Sequence, residues 1–167
     1  MSGECAFGME ISEDRSRCAI AKAWREGPGR MAVKVVWHGP PPVAPTVMDA
    51  LYVADDPVEV ALDPRSQSST LCHQLGELGI IVKRLGAEDV AVSHGEFMDL
   101  AATGHLRHFN QPELTAAVRG AQQRALAGGR ALERRVVTDQ SPLTASEFAV
   151  WAYLRWEEVS SPSVYVV

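Results

Sequence analysis

The side chains with the greatest chemical potential in this chain are acids in places where acids are unusual. Glu10 sits within the apolar run CAFGMEI, where a carboxylate turned inward without a partner is costly. Asp63 closes a second hydrophobic run, VEVALD, immediately ahead of Pro64. Asp139 lies in TDQSPL, just before a strong helix start, and Glu147 shares a helical stripe with Leu143, Val150 and Leu154. Each has an ordinary reading beside the chemical one. Strand alternation can turn Glu10 to solvent, Asp63 can shape the turn before proline, and Asp139 can offset a helix dipole. Glu147 needs a partner wherever it points. Brought together in space, a few such carboxylates make a ligand set for hard divalent cations, which favour oxygen donors.

Other reactive types are less suggestive. His94, His105 and His108 have spacing that supports neither a metal set nor a general base, and His73 beside Cys72 is weaker still. Cys5, Cys18 and Cys72 are odd in number and lack metal-type spacing, which fits buried, reduced thiols and argues against a zinc site. No G-x-S-x-G elbow marks a covalent nucleophile. One basic stretch stands out. Arg107, Arg119, Arg124, Arg130, Arg134 and Arg135 face only Glu113 and Glu133 over that span, a local +4 in a chain whose net charge is -5. These are either solvated arginines on amphipathic elements or a phosphate-binding face.

The elements that must position these groups can be read from the pattern. CAFGMEI, RCAIAKAWR and RMAVKVVWH are three apolar-rich runs with short connections, SEDRS and EGPG, which predicts an antiparallel meander. GPPPVAP cannot continue a ladder and is read as a loop, followed by a short helix over about 46–54. VEVALD predicts a strand that stops at Asp63, and SQSSTLCHQLGELG a helix capped by Ser69 or Thr70. IIVKRL is a further strand, and a helix is expected from Ala87 to Thr103 with Gly104 as its stop. After extended HLRHFN, a helix over QPELTAAVRGAQQRALAGG is expected to end at Gly128-Gly129, and ALERRVV is the last strand. Ser141 and Pro142 open the closing helix as cap and first residue. Three strands, a helix, a strand, then alternating helices and strands predict a mixed sheet with helices on its faces.

The totals agree with this. A chain of 167 residues with 46% hydrophobic and 22% charged content can bury one core, so one α/β domain over 1–167 is expected. No apolar run approaches the ~18 residues of a membrane span, and the N-terminus lacks the pattern of a secretory signal. A cytoplasmic location, in a reducing compartment, is the expectation.

Two stretches go further. FGMEISEDRSRCAIAKAWREGPGRMAVKVVW looks like the opening hairpins of ribonuclease H-like nucleases. From VEVALDPRS through HGEFMDLAATGHLRHFNQPELTAAVRGAQQRAL to SPLTASEFAVWAYL, the chain resembles the C-terminal nuclease domain of bacteriophage large terminases. That resemblance implies a ribonuclease H-like sheet of five strands or slightly more, with helices on both faces. It implies a metal-dependent endonuclease that cuts concatemeric phage DNA during packaging, in the cytoplasm of a bacterial host. Glu10, Asp63 and Asp139 would be its catalytic acids, holding two Mg²⁺ or Mn²⁺ ions, with Glu147 the rival third acid. Relatives carry Asp at the place of Glu10, so the longer Glu bears directly on ion spacing. Arg107, Arg119, Arg124, Arg130, Arg134 and Arg135 would bind double-stranded DNA. No G-x-x-x-x-G-K-[ST] loop occurs, so the ATPase motor of a terminase is not encoded here and would be a partner, with a small terminase subunit or portal. The competing implications are a catalytically inactive DNA-binding or assembly module, and an enzyme of similar fold acting on a branched junction or an RNA–DNA hybrid.

Overall fold

Short polar or glycine-containing turns between extended runs leave neighbouring strands no choice but to fold back on one another. In a computed structural model that describes residues 3–161, β1 (Cys5–Ile11), β2 (Cys18–Arg25) and β3 (Met31–Gly39) form the expected antiparallel meander. A 3-10 turn at Pro41–Val43 runs directly into α1 (Ala44–Asp55), so the helix starts within the segment read as a loop. Pro45 in its first turn explains the extension, because a proline there loses no helical hydrogen bond. Then follow β4 (Glu59–Leu62), α2 (Ser69–Glu77), β5 (Lys83–Arg84), α3 (Ala87–Ala102), β6 (Leu106–Arg107) and α4 (Pro112–Gly120). A hairpin of β7 (Gln123–Leu126) and β8 (Gly129–Leu132) precedes the long α5 (Ser141–Ser160).

The main sheet has six strands in the order β5-β4-β1-β2-β3-β6, with β4 parallel to β1 and β5, and β6 parallel to β3. Strand alternation splits the core in two. Cys5, Phe7, Met9 and Ile11 of β1 join Val60 and Leu62 of β4 on one face, against Met48 of α1 and Leu71 and Leu75 of α2. On the other face Ala6, Ala19, Ala21, Ala23 and Ala61 present a bed of small side chains to α5. Gly8 completes that bed, since a methyl group there would collide with the Ala145 carbonyl and lie 2.5 Å from the Ala149 nitrogen. Residues 141–153 of α5 are buried all round, as expected of a helix covered on both sides, with α3 and α4 packed on its outer face.

The helix expected over 111–129 is corrected. It ends at Gly120, Ala121 turns extended, and Ala127 and Gly128, both at positive φ, make the tight turn of a separate two-stranded sheet. Gly120 is pressed against Thr138, where a Cβ would lie 2.6 Å from the threonine Cβ. The predicted last strand survives only as Gly129–Leu132, and Glu133–Gln140 is an irregular connection to α5.

Candidate active site

The parallel pairing of β1 with β4 sets Ala6 beside Glu59, Phe7 beside Val60 and Gly8 beside Ala61. Continued by two residues, that register puts Glu10 next to Asp63, on the same face of the sheet, at the carboxyl ends of both strands. Two buried acids are therefore neighbours, each at most 2% exposed.

What holds them is specific. The Ser66 and Ser68 hydroxyls donate to Glu10 Oε1 at 2.6 and 2.5 Å. Ser68 is the N-cap of α2 but makes no side-chain cap bond. Its hydroxyl serves the carboxylate instead, and accepts the Ile11 N–H at 2.9 Å, so the cap expected from Ser69 or Thr70 is replaced by a link to the site. Asp63 Oδ1 accepts the Arg65 N–H at 2.8 Å and its Nε at 3.2 Å. Between the acids lies Arg134, whose Nη2 donates to Asp63 Oδ2 at 2.7 Å and whose Nε stands 3.6 Å from Glu10 Oε2. Glu10 Oε2 is buried and has no hydrogen-bond partner. Burial pushes the Glu10 carboxyl above the usual range, and Arg134 and the serines offset only part of that. Burial opposes ionisation of Asp63 too, but hydrogen bonds from Arg134 and Arg65 outweigh it and hold the carboxyl low.

Asp139 stands apart from this pair. Its Oδ2 meets His38 Nε2 at 2.8 Å and its Oδ1 accepts the Ser141 N–H at 2.8 Å, at the start of α5. Despite burial, these contacts keep its carboxyl below the usual value. His38 reaches it through a β-bulge: Ile20 faces Trp37 but Ala21 faces Val35, leaving Val36 as the extra residue and bringing His38 beside Ala19. A cavity of about 240 Å³ has Glu10, Arg134 and Asp139 in its wall, so Asp139 shares a space with the pair while facing another partner.

Glu147 is elsewhere. At 100° per residue it lies on the side of α5 opposite Ala145 and Ala149, which touch the sheet. There it meets His94 Nδ1 of α3 at 2.7 Å, and His94 Nε2 is 2.9 Å from the Gln123 side-chain nitrogen. The partner that Glu147 required is this histidine. Among the described residues, no group of three or more His, Cys, Asp or Glu side chains is close enough to hold one metal ion.

The arginines also separate. Arg124, Arg134 and Arg135 line a polar depression together with Arg65, Ser66, Gln67, Glu133 and Glu13, the last paired with Arg135 at 3.6 Å, and Arg65 and Arg134 connect it to Asp63. Arg107 pairs with Glu26 and covers Phe109, Arg119 lines an apolar cavity with His94 and Glu147, and Arg130 is exposed on β8. Arg65, Ser66, Ser68, His38 and the bridging role of Arg134 were not singled out in the sequence. Only Arg65 and the serines left a trace there, crowded just after Asp63 in DPRSQS. Cys5 and Cys18 are buried and Cys72 half-buried, all three free, and burial pushes the Cys18 thiol up to about 12.

An antiparallel meander continued by a parallel strand beside β1, covered by a buried closing helix, is a ribonuclease H-like sheet arrangement. The sequence matches no family model and no curated protein. Among solved structures, the chain has the fold of large terminase nuclease domains. The large terminase of bacteriophage HK97 superposes with a TM-score of 0.71 at 14% identity, over 90% of this chain and 40% of that one. This chain thus spans less than half of that terminase. The large terminase nuclease of thermophilic phage G20c gives 0.67 at 12% identity, covering 87% and 80% of the two chains. The nuclease domain from Thermus phage P74-26 gives 0.60 at 12%, covering 92% and 80%. The G20c nuclease has also been solved with bound magnesium and with bound cobalt. No helix among the described residues is long and apolar enough to cross a membrane.

Proposed function

We propose that residues 1–167 are one nuclease domain of the large terminase type, cutting double-stranded DNA with divalent metal ions. The single observation that carries this reading is the pairing of Glu10 with Asp63 on adjacent parallel strand ends. The residues fit a hard cation such as the magnesium with which the G20c nuclease has been solved. Both offer only oxygen, and the buried, unpartnered Glu10 Oε2 is a donor with no protein ligand of its own. Glu10, Asp63 and Asp139 are the residues that would hold the ions. A bound Mg²⁺ or Mn²⁺ would supply a Lewis acid for the phosphodiester and lower the pKa of a coordinated water.

The chain's own groups do the rest. Ser66 and Ser68 hold one oxygen of Glu10, which leaves the other directed at the site. Arg65, Arg124 and Arg135 in the flanking depression would seat phosphates on either side of the cut, positioning the duplex without reading its sequence. His38 orients the Asp139 carboxylate toward the shared cavity wall. Glu147 is left out of the set because His94 already engages it on the far side of α5. A terminase ATPase motor, supplied by another chain or by further sequence, would deliver the DNA.

The test is nicking of supercoiled plasmid with Mg²⁺ or Mn²⁺, comparing the native chain with Asp63→Asn. Loss of at least about 100-fold in rate is expected, on the scale of removing one preorganised electrostatic group. Equal cutting by both chains removes the site. The Arg134 bridge favours a second reading, a DNA-binding or assembly module without catalysis. DNA binding with no nicking in either ion would establish that alternative.

A further inference from the structure

A site awaiting divalent cations keeps a surplus of negative charge, yet the inner pair of this one is already balanced. Glu10 and Asp63 face Arg65 and Arg134, and the Arg134 side chain is only 21% exposed. Its guanidinium lies where both carboxylates converge, with Nη2 on Asp63 Oδ2 and Nε nearest to Glu10 Oε2, the oxygen that has no other neighbour to satisfy it. An arginine cannot yield by losing its proton. It can yield only by moving.

The chain around Arg134 permits that. Glu133–Gln140 is neither helix nor strand and joins the hairpin to α5. It is anchored by the Glu133 N–H on Gln122 O at 2.7 Å and by the Thr138 side chain against Gly120, while Val137 between these anchors is fully exposed. The other face of Arg134 opens on the depression that it shares with Arg65, Arg124 and Arg135. An anion seated there offers the guanidinium a second partner of the same charge as the carboxylates, and one with matching bidentate geometry.

Resting on the metal-nuclease reading, we infer that Arg134 is a resident cation in the metal position: a divalent ion enters between Glu10 and Asp63 only when Arg134 withdraws, and a DNA phosphate in the adjacent depression draws it out. Metal loading and DNA binding are then linked, and by thermodynamic necessity each strengthens the other.

The experiment is Mn²⁺ binding followed by calorimetry and by the loss of the free-ion paramagnetic resonance signal, on the whole chain. Arg134→Gln should bind Mn²⁺ at least about tenfold more tightly than the native chain, because the competing state is removed. Arg134→Lys, which keeps the charge, should stay near native, and Arg134→Gln with Asp63→Asn should lose the gain. Circular dichroism checks that each variant is folded. Should Arg134→Gln fail that check, the native chain alone decides: a short duplex must raise its Mn²⁺ affinity several-fold after subtraction of the matching Asp63→Asn mixture. Equal Mn²⁺ affinity of folded native and Arg134→Gln chains, or no effect of the duplex on the native chain, overturns the inference and leaves the metal reading standing. Absence of Mn²⁺ binding from every chain overturns both.

Discussion

Breaking the buried pair between α3 and α5 tests the assignment of Glu147 most sharply. His94 and Glu147 are 5% and 3% exposed, 2.7 Å apart, on helices that face each other behind the sheet. The Glu147 hydrogen bond pushes His94 up against the opposing effect of burial, and burial pushes Glu147 up against the opposing effect of His94. Both shifts say that the pair retains a proton. With His94→Leu, nothing offsets the burial of Glu147, and removing one partner of such a pair costs about 3–5 kcal/mol at neutral pH. For a domain of this size that lowers Tm by roughly 10 °C. The pH dependence has a definite sign. A carboxyl whose folded pKa lies above its unfolded value stabilises below the unfolded pKa, and that contribution is lost as pH rises toward the folded one. Because the native pair also keeps a proton that unfolded His94 gives up near its ordinary value of about 6.5, the His94→Leu deficit should grow by up to about 1.4 kcal/mol per unit from pH 5 to about that value and then level off. Replacing both residues with leucine removes the charge together with its partner, and should return stability to within about 1 kcal/mol of native. Thermal denaturation of the three chains at pH 5 and pH 8 makes the comparison, and plasmid nicking by the double variant should match the native rate. A single variant as stable as native at pH 8, or a double variant folded but unable to nick, would refute the assignment of Glu147 to structure.

Three further outcomes are expected. Gly8→Ala should destabilise by about 1–3 kcal/mol or more, since its methyl meets backbone atoms of α5, whereas Gly95→Ala, in open space on α3, should stabilise by roughly 0.5–1 kcal/mol, both read by denaturant titration. Asp139→Asn should cost about 1 kcal/mol through the weakened start of α5; because the native carboxyl is held low, its contribution is present above the unfolded pKa and lost as pH falls, so the variant should show a flatter acid limb of stability. Removing Arg65 and Arg124 together should lower the slope of log DNA affinity against log salt by about two, measured by fluorescence anisotropy, with no change of slope if the depression does not seat phosphates.

The meander, the strand ending at Asp63 and the buried closing helix were legible in the sequence because each depends on local signals. Alternation, a proline stop and a Ser-Pro helix start act within a few residues, although Gln140 is the N-cap and Ser141, expected to cap, is the first helical residue, its N–H taken by Asp139. The hairpin at 123–132 was not legible. AQQRAL has helical composition, and what overrides it is the contact of Gly120 with Thr138 and the left-handed pair Ala127-Gly128. The resemblance named Glu10 and Asp63 as one set, and the parallel register of β1 and β4 is what makes them neighbours.

Arg134 is a different case. Its meeting with both acids depends on where the irregular segment after β8 crosses the strand ends, and that path is set by contacts with residues before the hairpin, Glu133 on Gln122 and Thr138 on Gly120, which no local pattern announces. The same holds for His38, whose side of the sheet is decided by one extra residue in β3. The exchange of Arg134 inferred above needs a position outside the sheet ladder, and 133–140 is neither helix nor strand. On that argument the least predictable residue of the site is also the one best placed to control it. The acids are set by the register of β1 and β4, and the guanidinium between them is set by the charges it neutralises.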